Sequence, residues 1–284
     1  MAARPDNPGL LTARAVLKAA RATLTDAGAP SPEVDAKLII EHVLGANTLA
    51  HPGARVLTPQ EVADIDALVV RRAAREPLQW LVGSGFYGLD LLCRRGVLVP
   101  RPETEGLAEL AITLTPPRGC LLDVGTGTGA VALAVRQERP DVTVLACDIS
   151  PQAVALAAEN AVRLRLPVTL FLSDLLKGVP NDVRPDVVTA NLPYLPDGDR
   201  ETMSAEVALD PPLALFGGPD GLSLARRLVA QAPSVLPPCG RLLLELDPRN
   251  LRALAAELSA AAWRGTSVRP DLAGRERFIV TQRR

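Results

Sequence analysis

The stretch that decides the fold is Asp123-Val124-Gly125-Thr126-Gly127-Thr128-Gly129. It follows an apolar run, Cys120–Val124, that has the length of a buried strand, and it precedes a helical segment, Ala130–Glu138. Glycine reaches positive φ without steric cost and lets the backbone approach a ligand closely. A glycine turn between a strand and a helix lies where open α/β sheets bind nucleotides. The stretch therefore predicts an α/β fold with a ligand site at the carboxyl end of its first parallel strand.

Strands and helices alternate from this loop to the C-terminus, and this alternation predicts right-handed βαβ units. The predicted strands are Cys120–Val124, Val142–Cys147, Val168–Leu172, Asp186–Ala190, Arg241–Leu246 and Arg277–Gln282. The predicted helices are Ala130–Glu138, Pro151–Leu164, Leu222–Ala232 and Leu251–Ala262. We expect a Rossmann-like, doubly wound and mostly parallel sheet over residues 101–284, with an active-site loop in the Pro/Gly-rich stretch Leu192–Gly221.

The chain before this domain has a different periodicity. Residues 1–75 carry apolar residues at helical spacing and predict a small helical bundle. Its helices are predicted over Leu10–Ala27, from the N-cap Ser31-Pro32 to Leu44, and from the capping box Thr58-Pro59-Gln60-Glu61 to about Ala74. We expect this bundle to serve substrate recognition, because it holds no cluster of candidate catalytic residues. Residues 76–100 predict a β-hairpin linker around the charged turn Arg94-Arg95-Gly96.

Composition excludes several kinds of chemistry. The chain has 284 residues, with 31 Lys and Arg against 32 Asp and Glu, so its net charge of −1 provides no basic field for a nucleic acid or an anionic membrane. His42 and His51 are its two histidines, and its four cysteines form no C-x-x-C pair. A zinc site and a histidine-based catalytic triad are therefore not expected, and we predict no metal.

The cysteines and the apolar runs suggest where the protein works. Cys93, Cys120, Cys147 and Cys239 stand singly, most of them in or beside apolar runs, which favours buried free thiols in a reducing compartment. No apolar run approaches the roughly 18 residues that a membrane span needs. We expect a cytoplasmic protein without membrane contact.

Two kinds of ligand fit the glycine loop. With Ala130, the spacing of Gly125 and Gly127 satisfies the G-x-G-x-x-A dinucleotide fingerprint, and Asp148 follows Gly129 by 19 residues, where a carboxylate binds ribose hydroxyls. Both a nicotinamide cofactor and S-adenosylmethionine use such a carboxylate. Asp123 favours S-adenosylmethionine, because its carboxylate would attract that cofactor's cationic end but repel a pyrophosphate.

Further residues complete this predicted cofactor site. Asp174, which follows the third strand, offers an acceptor for the adenine amino group, and Leu175 can cover the adenine face. The predicted cofactor-binding residues are Asp123, Gly125, Thr126, Gly127, Thr128, Gly129, Asp148, Asp174, Leu175 and Asn191.

A second motif, Asn191-Leu192-Pro193-Tyr194, follows the fourth strand and indicates the reaction. An amide or exocyclic amine nitrogen is a poor nucleophile because its lone pair is delocalised. A site can orient it by accepting both N–H groups, and Asn191 Oδ1 and the Leu192 carbonyl are two such acceptors. Pro193 would aim that carbonyl and the Tyr194 ring would pack on the planar acceptor group. These four residues are the predicted catalytic residues of a methyltransferase, and no histidine is required.

Four segments together resemble one family. These are Val99-Pro100-Arg101-Pro102-Glu103-Thr104-Glu105, the glycine loop, the Asn191–Tyr194 motif and the stretch from Ala214 to Leu222 with its Phe216-Gly217-Gly218. In order and spacing they are similar to the peptide chain release factor glutamine methyltransferases (the HemK/PrmC family), whose fold is that of class I methyltransferases dependent on S-adenosylmethionine. The resemblance implies methylation of the side-chain amide of the glutamine in the Gly-Gly-Gln motif of class I release factors. It implies release factors as protein partners, and no stable nucleic-acid binding.

The chain departs from the family pattern at two places. Leu192 stands where the family usually has proline, and Asp210 replaces the acidic residue of a later E-P pair. Asn-Leu-Pro-Tyr is also found in rRNA adenine dimethyltransferases, so an adenine N6 methyltransferase acting on RNA or DNA is the alternative. The arginine-rich C-terminal segment is either a solvated face or a contact for an RNA-bound or acidic partner.

Two other classes remain open from the residues alone. A nicotinamide oxidoreductase would use the glycine loop but would leave the Asn191–Tyr194 motif without a role. A binding module without catalysis would tolerate the loss of Asn191.

Overall fold

The computed structural model describes residues 11–46, 48–50, 55–201, 203, 207–258 and 262–284. The chain divides into two compact units, residues 1–83 and residues 84–284. The first boundary therefore falls after Gly83, eight residues beyond the end predicted for the helical bundle. The predicted helix start at Leu10, and His51, lie outside the described residues.

The first unit is helical. Its helices are α1 (Ala13–Asp26), α2 (Pro32–Leu44), α3 (Pro59–Ala73) and the short α4 (Leu78–Val82). Their buried aliphatic residues form one hydrophobic cluster that includes Leu24, Ile39, Ile40 and Ile65. The predicted capping box is present, since the Thr58 hydroxyl accepts from the Glu61 N–H and the Glu61 carboxylate accepts from the Thr58 N–H. The predicted N-cap Ser31 makes no side-chain capping bond.

The second unit begins with a two-stranded hairpin, β1 (Ser84–Phe86) and β2 (Leu89–Leu91). The hairpin exists as predicted, but its turn is Tyr87-Gly88, not Arg94-Arg95-Gly96. Tyr87 and Gly88 both have positive φ, 49° and 76°, which is what a two-residue turn between antiparallel strands requires.

No second pair of strands forms around Arg94-Arg95-Gly96, because the chain after β2 finds a side-chain partner instead. The Asn160 side chain bonds both the N–H and the C=O of Leu92. These bonds occupy the backbone groups that a neighbouring strand would use.

The remainder of the unit is a seven-stranded sheet with flanking helices. Its strands are β3 (Cys120–Val124), β4 (Thr143–Asp148), β5 (Thr169–Leu172), β6 (Val187–Asn191), β7 (Arg241–Glu245), β8 (Trp263–Pro270) and β9 (Glu276–Arg283). Its helices are α5 (Glu105–Leu114), α6 (Ala130–Glu138), α7 (Pro151–Leu164), α8 (Ser223–Val235) and α9 (Leu251–Glu257).

The strand order is β5-β4-β3-β6-β7-β9-β8, with β9 antiparallel to β7 and to β8 and all other pairs parallel. The predicted Rossmann-like, doubly wound and mostly parallel sheet is thus confirmed. Buried aliphatic residues cover both faces of the sheet in two clusters.

One prediction near the C-terminus was wrong, and one strand was not predicted. The last predicted helix, Leu251–Ala262, ends at Glu257 in the structure, with residues 259–261 outside the described part. The edge strand β8 was not predicted, because it contains Gly265, Pro270 and exposed arginines in place of a run of β-formers. Such polar edges limit pairing with other chains.

Candidate active site

The glycine loop and Asn191 meet at the point where the strand order reverses. From β3 the chain continues to β4 and β5 on one side, and β6 and β7 lie on the other. β3 and β6 are neighbouring parallel strands, with Val124 opposite Ala190. The loop after Val124 and Asn191 therefore both lie at the carboxyl end of the sheet. Ligands of open α/β sheets bind at this position.

The glycine loop has the backbone that its sequence predicts. Gly125, Gly127 and Gly129 have φ of 72°, 57° and 85°. A Cβ at Gly125 would lie 2.9 Å from Leu192 Cδ2, and one at Gly129 would lie 3.2 Å from Ala157 Cβ. The positive φ values therefore favour glycine at all three positions.

Asp148 holds the loop in place. One of its carboxylate oxygens accepts from the Gly127 N–H at 2.9 Å and the other accepts from the Ser150 N–H at 2.9 Å. Burial raises the pKa of Asp148, while these backbone donors oppose the rise. Each carboxylate oxygen can accept a further bond, so the group can also bind a diol.

Asp123 forms the floor of the site. Its side chain is buried, Oδ2 accepts from the Thr126 hydroxyl at 2.7 Å, and Oδ1 accepts from the Thr189 hydroxyl at 2.8 Å. Burial raises the pKa of Asp123 to about 6, although the two hydroxyls lower it. The predicted carboxylate below the loop is thus present, and two hydroxyl donors fix its orientation.

Asp174 and Leu175 form a side wall, and Asp174 is engaged in ion pairs. Its carboxylate lies 2.7 Å from Lys177 Nζ and 2.8 Å from Arg227 Nη2, and these bonds lower its pKa. Oδ1 carries the Arg227 bond alone, so it retains capacity for another donor. Leu175 is buried beside it.

These residues enclose a cavity of about 280 Å³. Most of the predicted cofactor and catalytic residues line it: Asp123, Gly125, Thr126, Gly127, Thr128, Asp148, Asp174, Leu175, Asn191, Leu192 and Pro193. Gly129, the N-cap residue of helix α6, does not line it. Tyr194 lies in a different cavity, as described below.

Asn191 presents a defined side of its amide. Asn191 Nδ2 donates to the Thr104 hydroxyl oxygen at 3.0 Å, which leaves Oδ1 as the branch that can accept from a ligand. The Leu192 side chain packs against Gly125. The Leu192 carbonyl is therefore the part of this residue that can accept an N–H from a substrate.

A second cavity of about 190 Å³ adjoins the first. Both are lined by Arg101, Asn191, Leu192 and Pro193, and the second adds Tyr194. Arg101 Nη2 bonds the buried Asp210 carboxylate at 2.6 Å. Burial raises the pKa of Tyr194 to about 12, so its phenol is neutral at physiological pH. Asn191 therefore stands between a larger cavity at the glycine loop and a smaller one at Tyr194.

A glycine-rich segment supports the Asn191–Tyr194 motif from behind. Leu195 forms a parallel bridge with Phe216, with bonds from the Leu195 N–H to the Leu215 carbonyl and from the Gly217 N–H to the Leu195 carbonyl, both at 2.9 Å. A Cβ at Gly217 would lie 2.3 Å from the Pro193 carbonyl oxygen. This close backbone contact fixes the direction of the motif.

Three functional candidates were missed in the sequence: Thr104, Thr189 and Glu245. Thr189 and Thr104 bond the predicted residues Asp123 and Asn191. Glu245 is buried opposite Asn191 in the sheet register. A signal existed for Glu245, because it is a charged residue that ends the apolar run Leu242–Leu244.

The arginine-rich C-terminal segment is largely engaged within its own unit. Five of its six arginines bond nearby groups, namely Arg264, Arg275, Arg277, Arg283 and Arg284. Few of these cations are therefore free to bind a polyanion.

The described residues have neither a cluster of metal-ligating side chains nor a helix that could span a membrane. In that part of the chain, no group of three His, Cys, Asp or Glu side chains is arranged to hold a metal ion. None of its helices is long and apolar enough to cross a membrane.

Comparison with known proteins defines the class first. Residues 104–210 match the methyltransferase small domain, and residues 15–83 match the PrmC N-terminal domain. The fold is also that of a methyltransferase from Pyrococcus furiosus, with a TM-score of 0.54 at 19% identity over 78% of this chain and 98% of that one. The second unit thus has the fold of a Rossmann-like methyltransferase.

Full-length relatives define the family. The chain is 48% identical to the release factor glutamine methyltransferase of Deinococcus radiodurans, over 95% of this chain and 98% of the relative. It is 39% identical to the protein of the same name from Mycolicibacterium smegmatis, over 95% and 97% of the two chains. The protein belongs to the release factor glutamine methyltransferase family.

The first prediction concerns the buried carboxylate of Asp123. A carboxyl group whose pKa is higher in the folded than in the unfolded protein lowers the free energy of unfolding as it ionises. For Asp123 this loss develops as pH rises from the unfolded pKa, 3.8, to the folded pKa of about 6. Above that range the cost is constant, at about 3 kcal/mol by linkage. We expect Asp123→Asn to be more stable than the wild type at pH 8 and equally stable at pH 4, as measured by urea unfolding. A stability difference that does not change with pH would contradict the assignment.

The second prediction concerns the contact behind the motif. Gly217→Ala should lower the free energy of unfolding by about 1–3 kcal/mol, because the backbone carbonyl that it meets cannot move aside cheaply. Gly198→Ala is the matched control, since no heavy atom lies within 4 Å of the added Cβ. Thermal unfolding of both variants tests this, and equal melting temperatures would show that the contact at Gly217 is not tight.

Proposed function

We propose that this protein transfers the methyl group of S-adenosylmethionine to the side-chain amide nitrogen of the glutamine in the Gly-Gly-Gln motif of class I peptide chain release factors. The observation that carries the proposal is Asn191, which lines both cavities in a chain of this family and whose Oδ1 accepts no hydrogen bond from the described residues. Release factors act in translation, so the proposal implies a cytoplasmic protein.

The larger cavity suits S-adenosylmethionine, which supplies an electrophilic methyl group on a sulfonium centre. Asp148 retains acceptor capacity for the two ribose hydroxyls. Asp123 provides a carboxylate for the cationic end, and Asp174 with Leu175 provides an acceptor and an apolar surface for adenine. The glycine loop forms one wall of this cavity with Gly125, Thr126, Gly127 and Thr128.

The smaller cavity suits the glutamine side chain. Asn191 Oδ1 and the Leu192 carbonyl accept the two N–H groups of the substrate amide, which turns its nitrogen lone pair toward the larger cavity. Pro193 restricts the backbone that carries this carbonyl, and the neutral Tyr194 ring packs on the amide plane. The nitrogen loses a proton to solvent after transfer, so no histidine is needed.

Leucine at position 192 is compatible with this mechanism. The motif uses the carbonyl of that residue, and the Leu192 side chain fills the space beside Gly125. We infer that the substitution for the family's usual proline preserves activity.

The helical unit is proposed to recognise the release factor. Its support is the match of residues 15–83 to the PrmC N-terminal domain, together with the location of the candidate catalytic residues in the second unit. Stable binding of nucleic acid is not part of the proposal.

The adenine N6 methyltransferase alternative is not favoured. The near-full-length relatives named above are release factor glutamine methyltransferases. The net charge of −1 and the internally bonded C-terminal arginines also leave little to bind RNA phosphates. A nicotinamide oxidoreductase would use the larger cavity at the glycine loop but would leave Asn191 and the smaller cavity without a role.

The direct test is transfer of labelled methyl from S-adenosylmethionine to purified class I release factor. We expect label on the wild-type factor and none on the variant in which the Gly-Gly-Gln glutamine is replaced by alanine. Label on that variant would refute the substrate assignment. Label on RNA, with binding that weakens steeply as salt rises, would instead support the adenine alternative.

Asn191→Ala tests the role of the motif. The variant should lose turnover, while its affinity for S-adenosylmethionine in calorimetry stays within several-fold, because Asn191 chiefly orients the acceptor. The matched control is Asn181→Ala in an exposed turn, which should leave both quantities unchanged. Loss of cofactor binding by Asn191→Ala would reassign Asn191 to the cofactor, and full turnover would indicate a binding module without catalysis.

A further inference from the structure

A buried carboxyl group lies beside the Asn191 amide. Glu245 ends strand β7, and the register places it directly opposite Asn191 on β6 and Phe278 on β9. Paired residues of neighbouring strands project to the same face of a sheet. The Glu245 side chain is 1% exposed, which is rare for an ionisable group.

Glu245 has no hydrogen bond that accounts for its burial. Neither carboxyl oxygen has a partner of normal geometry among the described residues. Burial of such a group without a partner costs stability. Burial raises the pKa of Glu245 to about 7, while the Thr104 hydroxyl and the Arg277 cation oppose the rise. Two further carboxylates, Glu103 and Asp271, are close enough to raise it.

Thr104 is the group that connects this carboxyl to the site. Its side chain is buried, and its hydroxyl oxygen accepts from Asn191 Nδ2 at 3.0 Å. The hydroxyl proton then needs a separate acceptor. Thr104 is bonded to Asn191, Glu245 lies opposite Asn191 in the sheet register, and the carboxyl oxygens of Glu245 have no partner among the described residues, so this buried carboxyl is a candidate acceptor for the hydroxyl proton. The lowering of the Glu245 pKa by the Thr104 hydroxyl agrees with this arrangement.

We propose that Glu245 is a positioning residue that accepts the Thr104 hydroxyl proton, commits Thr104 Oγ1 to accept from Asn191 Nδ2, and so keeps Asn191 Oδ1 facing the substrate amide. The proposal rests on the proposed function only in naming that substrate. The role of Glu245 passes through Thr104, and Glu245 itself does not touch the reacting atoms.

The reason for such a device is the ambiguity of a hydroxyl group. A threonine hydroxyl can donate or accept. If it donated, it would stabilise the flipped Asn191 amide, with Oδ1 toward Thr104 and Nδ2 toward the substrate. The flipped Asn191 amide presents its N–H groups to the N–H groups of the substrate amide and cannot orient that amide. A buried carboxylate behind Thr104 removes this alternative, because an ionised carboxylate can only accept.

The test compares Glu245→Gln, which keeps an acceptor oxygen, with Glu245→Leu, which removes it and fits an apolar core. We expect Glu245→Gln to retain turnover within about threefold and Glu245→Leu to lose about tenfold or more in kcat, with unchanged cofactor affinity. Thr104→Val should lose as much as Glu245→Leu, whereas Thr104→Ser should retain activity. The double variant Glu245→Leu with Thr104→Val should lose no more than either single variant, since the two residues act in one chain.

A second readout does not depend on the substrate. In protein labelled with ¹⁵N-asparagine, the Asn191 side-chain amide signals are identified by their loss in Asn191→Ala. We expect these signals to keep their chemical shifts in Glu245→Gln and to shift in Glu245→Leu and Thr104→Val. This measurement remains informative if Glu245→Leu folds poorly, because the Thr104 variants report on the same bond.

Several outcomes would overturn the proposal. Wild-type turnover in both Glu245→Leu and Glu245→Gln would show that no acceptor is needed behind Thr104. Equal and large losses in both would show that the negative charge, and not the acceptor, matters. Losses that multiply in the double variant would show that Glu245 and Thr104 act separately. Absence of label transfer by the wild type would reject the release-factor substrate, and the NMR comparison would then still decide the role of Glu245.

Discussion

The parallel pairing of β3 with β6 is the interaction on which the rest of the site depends. It brings the glycine loop and Asn191 to the same end of the sheet, although Val124 and Asn191 are 67 positions apart in the sequence. Thr189 on β6 also donates to Asp123 on β3, so the same pairing orients the carboxylate below the loop. A shift of one residue in this register would turn Thr189 away from Asp123 and remove Asn191 from the cavity.

Polar groups are buried around this pairing in a consistent way. Asp123 is oriented by Thr126 and Thr189, and Asn191 is oriented by Thr104. In each case a short threonine hydroxyl fixes an acidic or amide side chain, and the group so fixed faces a cavity. Orientation before binding reduces the entropy that ligand binding must overcome. The cost is the desolvation of Asp123 and Glu245, whose raised pKa values record it.

The sequence predicts those parts of the structure that depend on local signals. Helix α6 and helix α7 have the predicted bounds because a glycine loop and Ser150-Pro151 mark their starts. The hairpin turn was misplaced because Tyr87 adopts a positive φ that its residue type disfavours. Glu245 and Thr104 were not predicted as parts of the site, because they reach Asn191 only through strand register and through a contact between residues 87 positions apart.

The bridge between Leu195 and Phe216 closes the base of a long loop, and this has a consequence for how the protein can change. Leu195 at one end of the loop is hydrogen-bonded to Leu215 and Gly217 at the other end. Gly217 also packs so closely against the Pro193 carbonyl that no side chain fits there. The entropic cost of closing a loop grows only slowly with its length, so ends that are bonded to each other tolerate changes in the length between them. Insertions and substitutions between these two residues can therefore alter which peptide reaches Tyr194 while Asn191 stays in register, so selectivity and catalysis can evolve separately.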